Sequence, residues 1–178
     1  MKNIEIRDLA KIIPELNAGD KVLLSGVVYT ARDAAHKRIC GLIDLGSPLP
    51  FELKDSVIFY CGPCPAKPGD VIGSCGPTTS SRMDVYTPLL LSKGVMGLIG
   101  KGIRSQAVRD ALKDSEAVYF AATGGVAALL SRQIKKAEIA AFPELGPEAV
   151  YRLEFSDFPL TVACDANGGD IYGISRKF

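Results

Sequence analysis

Residues 21–38 read KVLLSGVVYTARDAAHKR, a run of β-forming residues followed at once by a run that favours helix. The first half predicts a strand over 22–29, and Thr30 is placed to cap a helix over 31–43. A strand that passes directly into a helix is the building unit of α/β proteins with parallel strands. This stretch therefore predicts an α/β fold.

The rest of the sequence repeats this alternation of short apolar runs and helical runs. Glycine–aspartate turns precede the strand at 21–29 and a second predicted strand at 71–74. Either Thr78 or Thr79 can cap the next helix. The further predicted elements are helices over 78–91, 104–113 and 125–133, and strands over 56–60, 94–99, 117–122, 139–142, 151–155 and 160–164. Because no linker interrupts them, residues 1–178 are predicted to form a single domain.

Composition excludes several classes of protein. The 178 residues include 21 Lys and Arg against 20 Asp and Glu, a net charge of +1. This balance argues against a nucleic-acid binder with a broad basic surface and against a polybasic membrane-surface protein. The first residues lack a signal-peptide apolar block, and the longest uncharged apolar run, 117–130, is too short to span a bilayer. We expect a soluble, cytoplasmic protein whose five cysteines are mostly reduced.

Charge is scarce between residues 56 and 102, where six ionic residues in 47 positions make about 13%, against 23% for the whole chain. Such a stretch of a globular protein belongs in its core or in a buried interface. The ionic residues within it need a specific reason to be there. They are Lys67, Asp70, Arg82, Asp84, Lys93 and Lys101.

Cys61 and Cys64 enclose Gly-Pro, a pattern typical of thiol–disulfide oxidoreductases. Two prolines and a glycine within 65–70 oppose the helix that this redox chemistry needs, and the chain contains no Trp. A proline-rich turn with incidental thiols is therefore favoured, and a thiol–disulfide protein is the alternative. The cysteine spacing and the single histidine, His36, match neither a closed zinc site nor an iron–sulfur motif.

Three cations stand near the ends of predicted strands. Arg82 lies four residues after Thr78 at a hydroxyl-rich helix start, so the two side chains share a helix face. Arg32 lies in the first turn of a predicted helix, where a cation is unfavourable because it opposes the helix dipole; binding an anion would give it a role there. Lys101 lies between two glycines, which permit close approach to the backbone. The simpler alternatives are a helix cap with Arg82 paired to a nearby acid, a plain turn lysine and a structural His36. Together the three cations suit a small polyanion such as a dicarboxylate.

Three ordered motifs make a family resemblance: 25–38 (SGVVYTARDAAHKR), 76–84 (GPTTSSRMD) and 100–102 (GKG). They resemble the β subunit of class I fumarate hydratases, and the related L(+)-tartrate dehydratase β subunit shares them. The resemblance implies a swivelling β/β/α domain with a mixed, barrel-like sheet and flanking helices. It also implies an α-subunit partner that carries an oxygen-sensitive 4Fe–4S cluster, with no metal held by this chain and no ligand role for Cys61 and Cys64.

The resemblance also assigns roles to single residues. The carboxylates of a small dicarboxylate substrate would be bound by Arg32, Arg82 and Lys101. Thr78 would be the base at the carbon that loses or gains a proton, and the open iron of the cluster would act as Lewis acid on the hydroxyl of malate. Because an isolated alcohol is a weak base at neutral pH, Thr78 would need help from the helix start, the cations or a partner carboxylate. The residues expected beside these, without touching substrate, are Asp33, His36 and Thr79.

The function implied by the resemblance is one half of a two-component hydro-lyase that hydrates fumarate reversibly to (S)-malate and is inactive alone. Dehydration of L(+)-tartrate to oxaloacetate is the alternative within the family, since malate and tartrate are dicarboxylates that differ by one hydroxyl. Two alternatives from other classes stay open. They are a thiol–disulfide protein using Cys61 and Cys64, and a non-catalytic anion-binding module.

Overall fold

The computed structural model describes residues 1–123 and 127–174. One sheet contains the strands β1 (Lys2–Glu5), β2 (Lys21–Thr30), β3 (Val57–Phe59), β4 (Gly97–Gly100), β5 (Val118–Ala121), β6 (Ile134–Ala141) and β7 (Val150–Cys164). The α-helices of the described residues are α1 (Leu9–Ile12), α2 (Asp33–Asp44), α3 (Thr87–Ser92), α4 (Gln106–Asp114), α5 (Ala127–Leu130) and α6 (Ile171–Ile174). No helix in these ranges is long and apolar enough to cross a membrane.

The sheet closes into a barrel because β7 pairs along both of its edges. Strands β1 to β5 are parallel and stand side by side in chain order. β7 runs antiparallel and joins β5 to β2, which closes a ring of five strands, and β6 pairs with β7 beside that ring. This arrangement confirms the predicted α/β class with a mixed, barrel-like sheet and flanking helices.

Alternate side chains of the strands supply two cores. In β3, Val57 and Phe59 belong to the core inside the barrel, and Ile58 belongs to the core between the barrel and the helices. The Phe59 ring meets Phe155 and Phe158 of β7 at centroid distances of 5.9 and 5.7 Å. Each buried side chain of this size contributes about 1.5–3 kcal/mol relative to an exposed one. β3 and β4 are buried on both faces, which accounts for the lack of charge in these two strands, whereas residues 64–71 of the charge-poor stretch are exposed.

Thr30 does not cap a helix, contrary to the prediction. It ends β2, where its hydroxyl donates to the carbonyl oxygen of Ala149 at 3.4 Å and accepts the N–H of Tyr151 at 2.9 Å. The hydroxyl is therefore used to join β2 to the start of β7. The helix begins two residues later than predicted, with Arg32 at its N-cap position and Asp33 as its first residue.

The helix predicted from Thr78 or Thr79 through Leu91 does not form as one continuous helix. Thr79 forms an isolated parallel β-bridge with Lys101, which draws this segment into the edge of the sheet. A 3-10 turn over Ser80–Met83 and the separate helix α3 take its place. Pro88 lies in the first turn of α3, where its missing N–H breaks no helical hydrogen bond.

Other predicted elements differ in extent. Residues 71–74 form no strand. The N–H of Cys64 donates a hydrogen bond to the carbonyl oxygen of Ser74, and the Gly73 backbone lies against the Cys64 carbonyl, so this segment pairs with a loop. The predicted strands 151–155 and 160–164 are both parts of β7, which has a bulge opposite β2, and the strand predicted over 139–142 begins earlier, as β6. Of the predicted helix over 125–133, the structure has α5 and a 3-10 turn; its predicted start at Gly125 lies outside the described residues.

Candidate active site

The carboxyl ends of the parallel strands β2, β3 and β4 meet at one edge of the sheet. Arg32 follows β2 by two residues, and Lys101 follows β4 directly. The N–H of Thr78 donates to the carbonyl oxygen of Tyr60, the residue after β3, at 2.7 Å. Ligand sites of α/β sheets lie at this edge. The fold therefore brings together the segments that carry the predicted site residues.

Arg82 joins two of these segments. Its Nη2 donates to Thr78 Oγ1 at 2.7 Å and lies 3.4 Å from Asp33 Oδ2. Helical spacing suggested the contact with Thr78, but the contact forms across the start of a 3-10 turn. The nearby acid of the simpler alternative is also present, as Asp33. Because the side chains of Arg82 and Asp33 are 46% and 39% exposed, this ion pair is weak and a ligand carboxylate can replace it.

Arg32 is paired with a glutamate that the sequence analysis missed. Its Nη2 lies 3.2 Å from Glu148 Oε1, and Glu148 Oε2 accepts the N–H of Ala34 in the first turn of α2 at 3.0 Å. Glu148 thus supplies the negative charge that favours a helix start and offsets the Arg32 cation there. The stem of Arg32 lies against Gly62, where an added Cβ would come within 2.8 Å of Cδ. Nε of Arg32 is buried without a partner among the described residues.

His36 is fully buried beneath Arg32. Its Nδ1 lies 2.8 Å from the carbonyl oxygen of Arg32, which also accepts the backbone N–H of His36 at 2.9 Å. Since a carbonyl only accepts, Nδ1 carries the hydrogen, and Nε2 is a buried acceptor that lacks a partner in the described ranges. Burial lowers the pKa of His36 to about 4, so the ring is neutral at pH 7. The neutral ring fixes the backbone from which the Arg32 side chain extends.

A chain of hydrogen bonds holds the backbone of Lys101. Its N–H donates to Ser80 Oγ, Ser80 donates to Tyr119 Oη, and Tyr119 donates to the Gly102 carbonyl, each at 3.0 Å. Burial raises the pKa of the Tyr119 hydroxyl, which keeps this donor protonated. A Cβ at Gly100 would collide with the Ser80 hydroxyl, so only glycine fits there. The Lys101 ammonium is exposed and has no partner among the residues that the structure describes.

Arg104 is a buried cation behind these hydroxyls, which the sequence analysis treated only as part of a helix. Its Nε donates to Asp84 Oδ1 at 2.8 Å, and its Nη2 donates to Thr87 Oγ1 at 2.9 Å and to Tyr60 Oη at 3.3 Å. Its guanidinium carbon lies 5.2 and 4.8 Å from the ring centroids of Tyr60 and Tyr119. A buried charge needs such partners, and this pair explains why Asp84 stands in the charge-poor stretch.

Cys61 faces Cys75 and not Cys64. The Sγ atoms of Cys61 and Cys75 are 2.9 Å apart and buried, whereas Cys64 is exposed. The segment 60–78 forms turns, bends and irregular backbone, without the helix that thioredoxin-like chemistry would need. No group of three or more His, Cys, Asp or Glu within 1–123 and 127–174 is arranged to hold a metal ion.

A cleft in the described chain lies away from the three cations. It has a volume of about 710 Å³ and lies between the segment from Cys64 to Ser74 and the segment from Ala128 to Lys135. None of Arg32, Arg82 and Lys101 lines it. The three cations therefore lie at an edge of the sheet, outside this cleft.

The chain is similar to known hydro-lyases along nearly its whole length. The family model described as Fumarase C-terminus matches residues 1–174. Fumarate hydratase 2 of Leishmania major is 42% identical over 171 residues, which cover 93% of this chain and 30% of that protein. The anaerobic class I fumarate hydratase of Escherichia coli is 40% identical over 171 residues, which cover 93% of this chain and 31% of that protein. The putative L(+)-tartrate dehydratase subunit beta of Methanocaldococcus jannaschii is 42% identical over 168 residues, which cover 91% of this chain and 86% of that protein.

The chain spans about a third of the length of the fumarate hydratases that it matches, and most of the length of the tartrate dehydratase subunit. These matches confirm the resemblance that the motifs at 25–38, 76–84 and 100–102 indicated. Because the family model covers residues 1–174 and the relatives are about 40% identical, the chain belongs to the Fumarase C-terminus family.

Proposed function

We propose that this chain is the β subunit of a hydro-lyase that hydrates fumarate reversibly to (S)-malate. The observation that carries the proposal is the junction of Arg82 with Thr78 and Asp33, at the edge where Arg32 and Lys101 also lie. Cations and a hydroxyl at one edge suit a substrate that has two carboxylates and exchanges a proton. Relatives named fumarate hydratase at 38–42% identity support the reaction class.

The substrate carboxylates are bound by the three cations in this proposal. Lys101 offers an ammonium that has no partner in the described chain, and Arg82 offers an exposed guanidinium. An exposed ion pair such as Arg82 with Asp33 contributes about 0–1 kcal/mol. A substrate carboxylate that accepts two parallel N–H bonds from Arg82 therefore displaces Asp33 at small cost. Arg32 keeps its pair with Glu148 and turns its remaining donors to the second carboxylate.

Thr78 moves the proton in this proposal. In dehydration, Thr78 Oγ1 takes the proton from the carbon beside the hydroxyl-bearing carbon of malate, and in hydration it returns that proton. An alcohol acts as a base only in its ionised form, and a hydrogen bond donated by a guanidinium stabilises that form. Arg82 Nη2 supplies this bond at 2.7 Å. Before substrate binds, Asp33 lies 3.4 Å from the same nitrogen and holds the guanidinium at Thr78.

A partner α subunit completes the site in this proposal. Thr79, Arg82 and Lys101 are exposed, so the edge can receive a covering surface. The described residues offer no donor set for a 4Fe–4S cluster, so the cluster does not fit this part of the chain and we assign it to the partner. Residues 1–178 are proposed to act as one domain against that partner in the cytoplasm, and the family match over residues 1–174 supports the single unit.

Dehydration of L(+)-tartrate is the second candidate function. The match to a putative tartrate dehydratase subunit beta, of which this chain covers 86%, favours it. The three cations bind either dicarboxylate in the same way. Discrimination by the extra hydroxyl would then depend on residues of the partner.

Anaerobic purification of the full chain with its native partners, followed by parallel assays on fumarate, malate and tartrate, tests the proposal. We expect a second polypeptide with bound iron and sulfide, turnover of fumarate by the complex, and none by this chain alone. Faster turnover of tartrate than of fumarate would replace the first candidate with the second. A complex that turns over none of the three would overturn both.

A further inference from the structure

Two buried thiols lie in contact beside the candidate active site. The Sγ atoms of Cys61 and Cys75 are 2.9 Å apart, and the two residues are 1% and 0% exposed. A disulfide needs about 2.05 Å between its sulfurs, so a movement of roughly 1 Å separates this pair from bonding distance. Their segments are already close, because Cys61 follows β3 and the 62–74 segment returns to it. The hydrogen bond with Cys61, followed by burial, raises the pKa of the Cys75 thiol.

Cys64 gives an oxidant access to this pair. It is exposed, and its N–H donates to the carbonyl oxygen of Ser74, the residue before Cys75, at 3.0 Å. Exposed thiols react with peroxides first, and a nearby thiol can then resolve the product. The proposed hydration uses none of these three cysteines.

We propose that Cys61 and Cys75 are a redox modification site that forms a reversible disulfide with a peroxide as oxidant, and that Cys64 is oxidised first. The Cys64 thiolate attacks one oxygen of hydrogen peroxide, the O–O bond breaks, and hydroxide leaves and is protonated to water, which leaves a sulfenic acid on Cys64. Cys75 sulfur attacks Cys64 sulfur, the S–O bond breaks and a second water leaves. Cys61 then attacks Cys75 and releases Cys64 as a thiol. In sum, two thiols lose two hydrogens and two electrons, and one peroxide becomes two waters.

The disulfide joins segments that contact the candidate active site. Gly62, against which the Arg32 stem lies, follows Cys61, and Thr78 follows Cys75 by three residues. Closing the loop over 62–74 restricts the unfolded chain, so the oxidised protein melts at a higher temperature than the reduced protein. The disulfide is independent of the proposed hydration, because it is a covalent bond that is detected by mass.

Peptide mapping of the full chain tests the proposal. The reduced protein is treated with hydrogen peroxide, its free thiols are alkylated, and it is cut on the amino side of aspartate. Cleavage before Asp55, Asp70 and Asp84 puts Cys61 and Cys64 in the peptide 55–69 and Cys75 in the peptide 70–83. We expect these peptides to be cross-linked through Cys61, with Cys64 alkylated, and dithiothreitol to restore all thiols. A disulfide within 55–69, or oxidation of Cys64 without any cross-link, would overturn the proposal.

Matched variants separate the roles of the three cysteines. Cys75→Ser should lose the cross-link and the rise in melting temperature on oxidation, and Cys64→Ser should form the same cross-link more slowly. An unchanged rate in Cys64→Ser would refute its place as the first thiol. Cys40 and Cys164 are internal controls, because both are buried and neither has a sulfur partner among the described residues. Oxidation of these two residues as fast as Cys61 would mean that peroxide unfolds the chain, and would contradict the proposal.

Discussion

The hydroxyl of Tyr119 is predicted to set the position of Lys101, and Tyr119→Phe removes it without removing the ring. The hydroxyl accepts from Ser80 Oγ and donates to the carbonyl of Gly102, each at 3.0 Å. The phenyl ring that remains keeps its place beside the Arg104 guanidinium, 4.8 Å from the ring centroid. The substitution therefore releases the turn around Lys101 and leaves the buried charge in place.

The size of the effect follows from the groups that are left unpaired. Ser80 is fully buried, and an unsatisfied buried donor costs about 1–3 kcal/mol. We expect the free energy of unfolding to fall by that amount, and the Tm to fall by about 2–4 °C for each kcal/mol in a chain of this length. Weakening the Lys101–carboxylate contact by about 1 kcal/mol raises the KM for the dicarboxylate about fivefold. The kcat should change less, because Thr78 and Arg82 keep their contact.

Tyr60→Phe is the matched control. Its hydroxyl bonds Thr87 Oγ1 at 3.2 Å and Arg104 Nη2 at 3.3 Å, and its ring also lies beside Arg104. The loss of stability should be similar, but the KM should stay at the wild-type value because this hydroxyl does not touch the turn at Lys101. Steady-state hydration assays on the assembled complex, with thermal unfolding of each variant, give both quantities. Equal KM values in the two variants would refute the positioning of Lys101 by Tyr119.

Two further predictions concern the buried polar groups. Arg104→Met leaves Asp84 without its buried partner, so we expect the free energy of unfolding, measured in urea, to fall by about 3–5 kcal/mol. A fall of less than about 1 kcal/mol would contradict a structural role for this pair. The pKa of His36 falls from 6.5 in the unfolded chain to about 4 in the folded chain. The unfolded chain therefore binds more protons between these values, so stability is full above pH 6.5 and is lost, by up to about 3 kcal/mol, as the pH falls toward 4. His36→Asn, which can still donate to the Arg32 carbonyl, should flatten this profile in pH-dependent unfolding, and an equally steep profile would show that another group is responsible.

The sheet was predictable because its central strands are uninterrupted apolar runs. The runs at 56–60, 94–99 and 117–122 contain β3, β4 and β5, which are buried on both faces and can hardly take another structure in a chain of this size. The closure of the barrel was harder to predict from the sequence, because it depends on one long strand, β7, whose apolar residues form two separate runs in the sequence. Its bulge opposite β2 lets the strand continue through the break.

The predicted helix caps at threonine residues were wrong, because the local preference of a threonine for a cap position competes with hydrogen-bond partners that are distant in the sequence. Thr30 was expected at a helix start, but its hydroxyl bonds the backbone at Ala149 and Tyr151. Thr79 was expected to cap a helix, but its backbone bridges to Lys101. Local patterns contain no information on partners that are 22 to 121 residues away in the chain, and such partners decided both cases.

The sequence predicted the cations of the candidate site, but it did not predict the side chains that hold these cations in place. Arg32, Arg82 and Lys101 follow strands in order, and strand ends meet at one edge by the topology of a parallel sheet. Glu148 pairs with Arg32 across more than a hundred residues, and Tyr119 reads in the sequence as an ordinary strand residue. Only the folded chain brings these two residues to the site.

The most direct test of the account is the kcat/KM for fumarate hydration by the assembled complex with Arg82→Ala in this chain. Arg82 makes one charged hydrogen bond to Thr78 and is proposed to make another contact to a substrate carboxylate. At about 1.5–3 kcal/mol for each, the loss is about 3–6 kcal/mol, a fall of roughly 10²- to 10⁴-fold. Arg38→Ala removes an exposed arginine of α2 whose ion-pair partner among the described residues is Glu144, and it should leave the rate within about twofold. Near-normal kcat/KM in Arg82→Ala, with the complex intact, would contradict the central claim that this edge of the sheet binds and protonates the substrate.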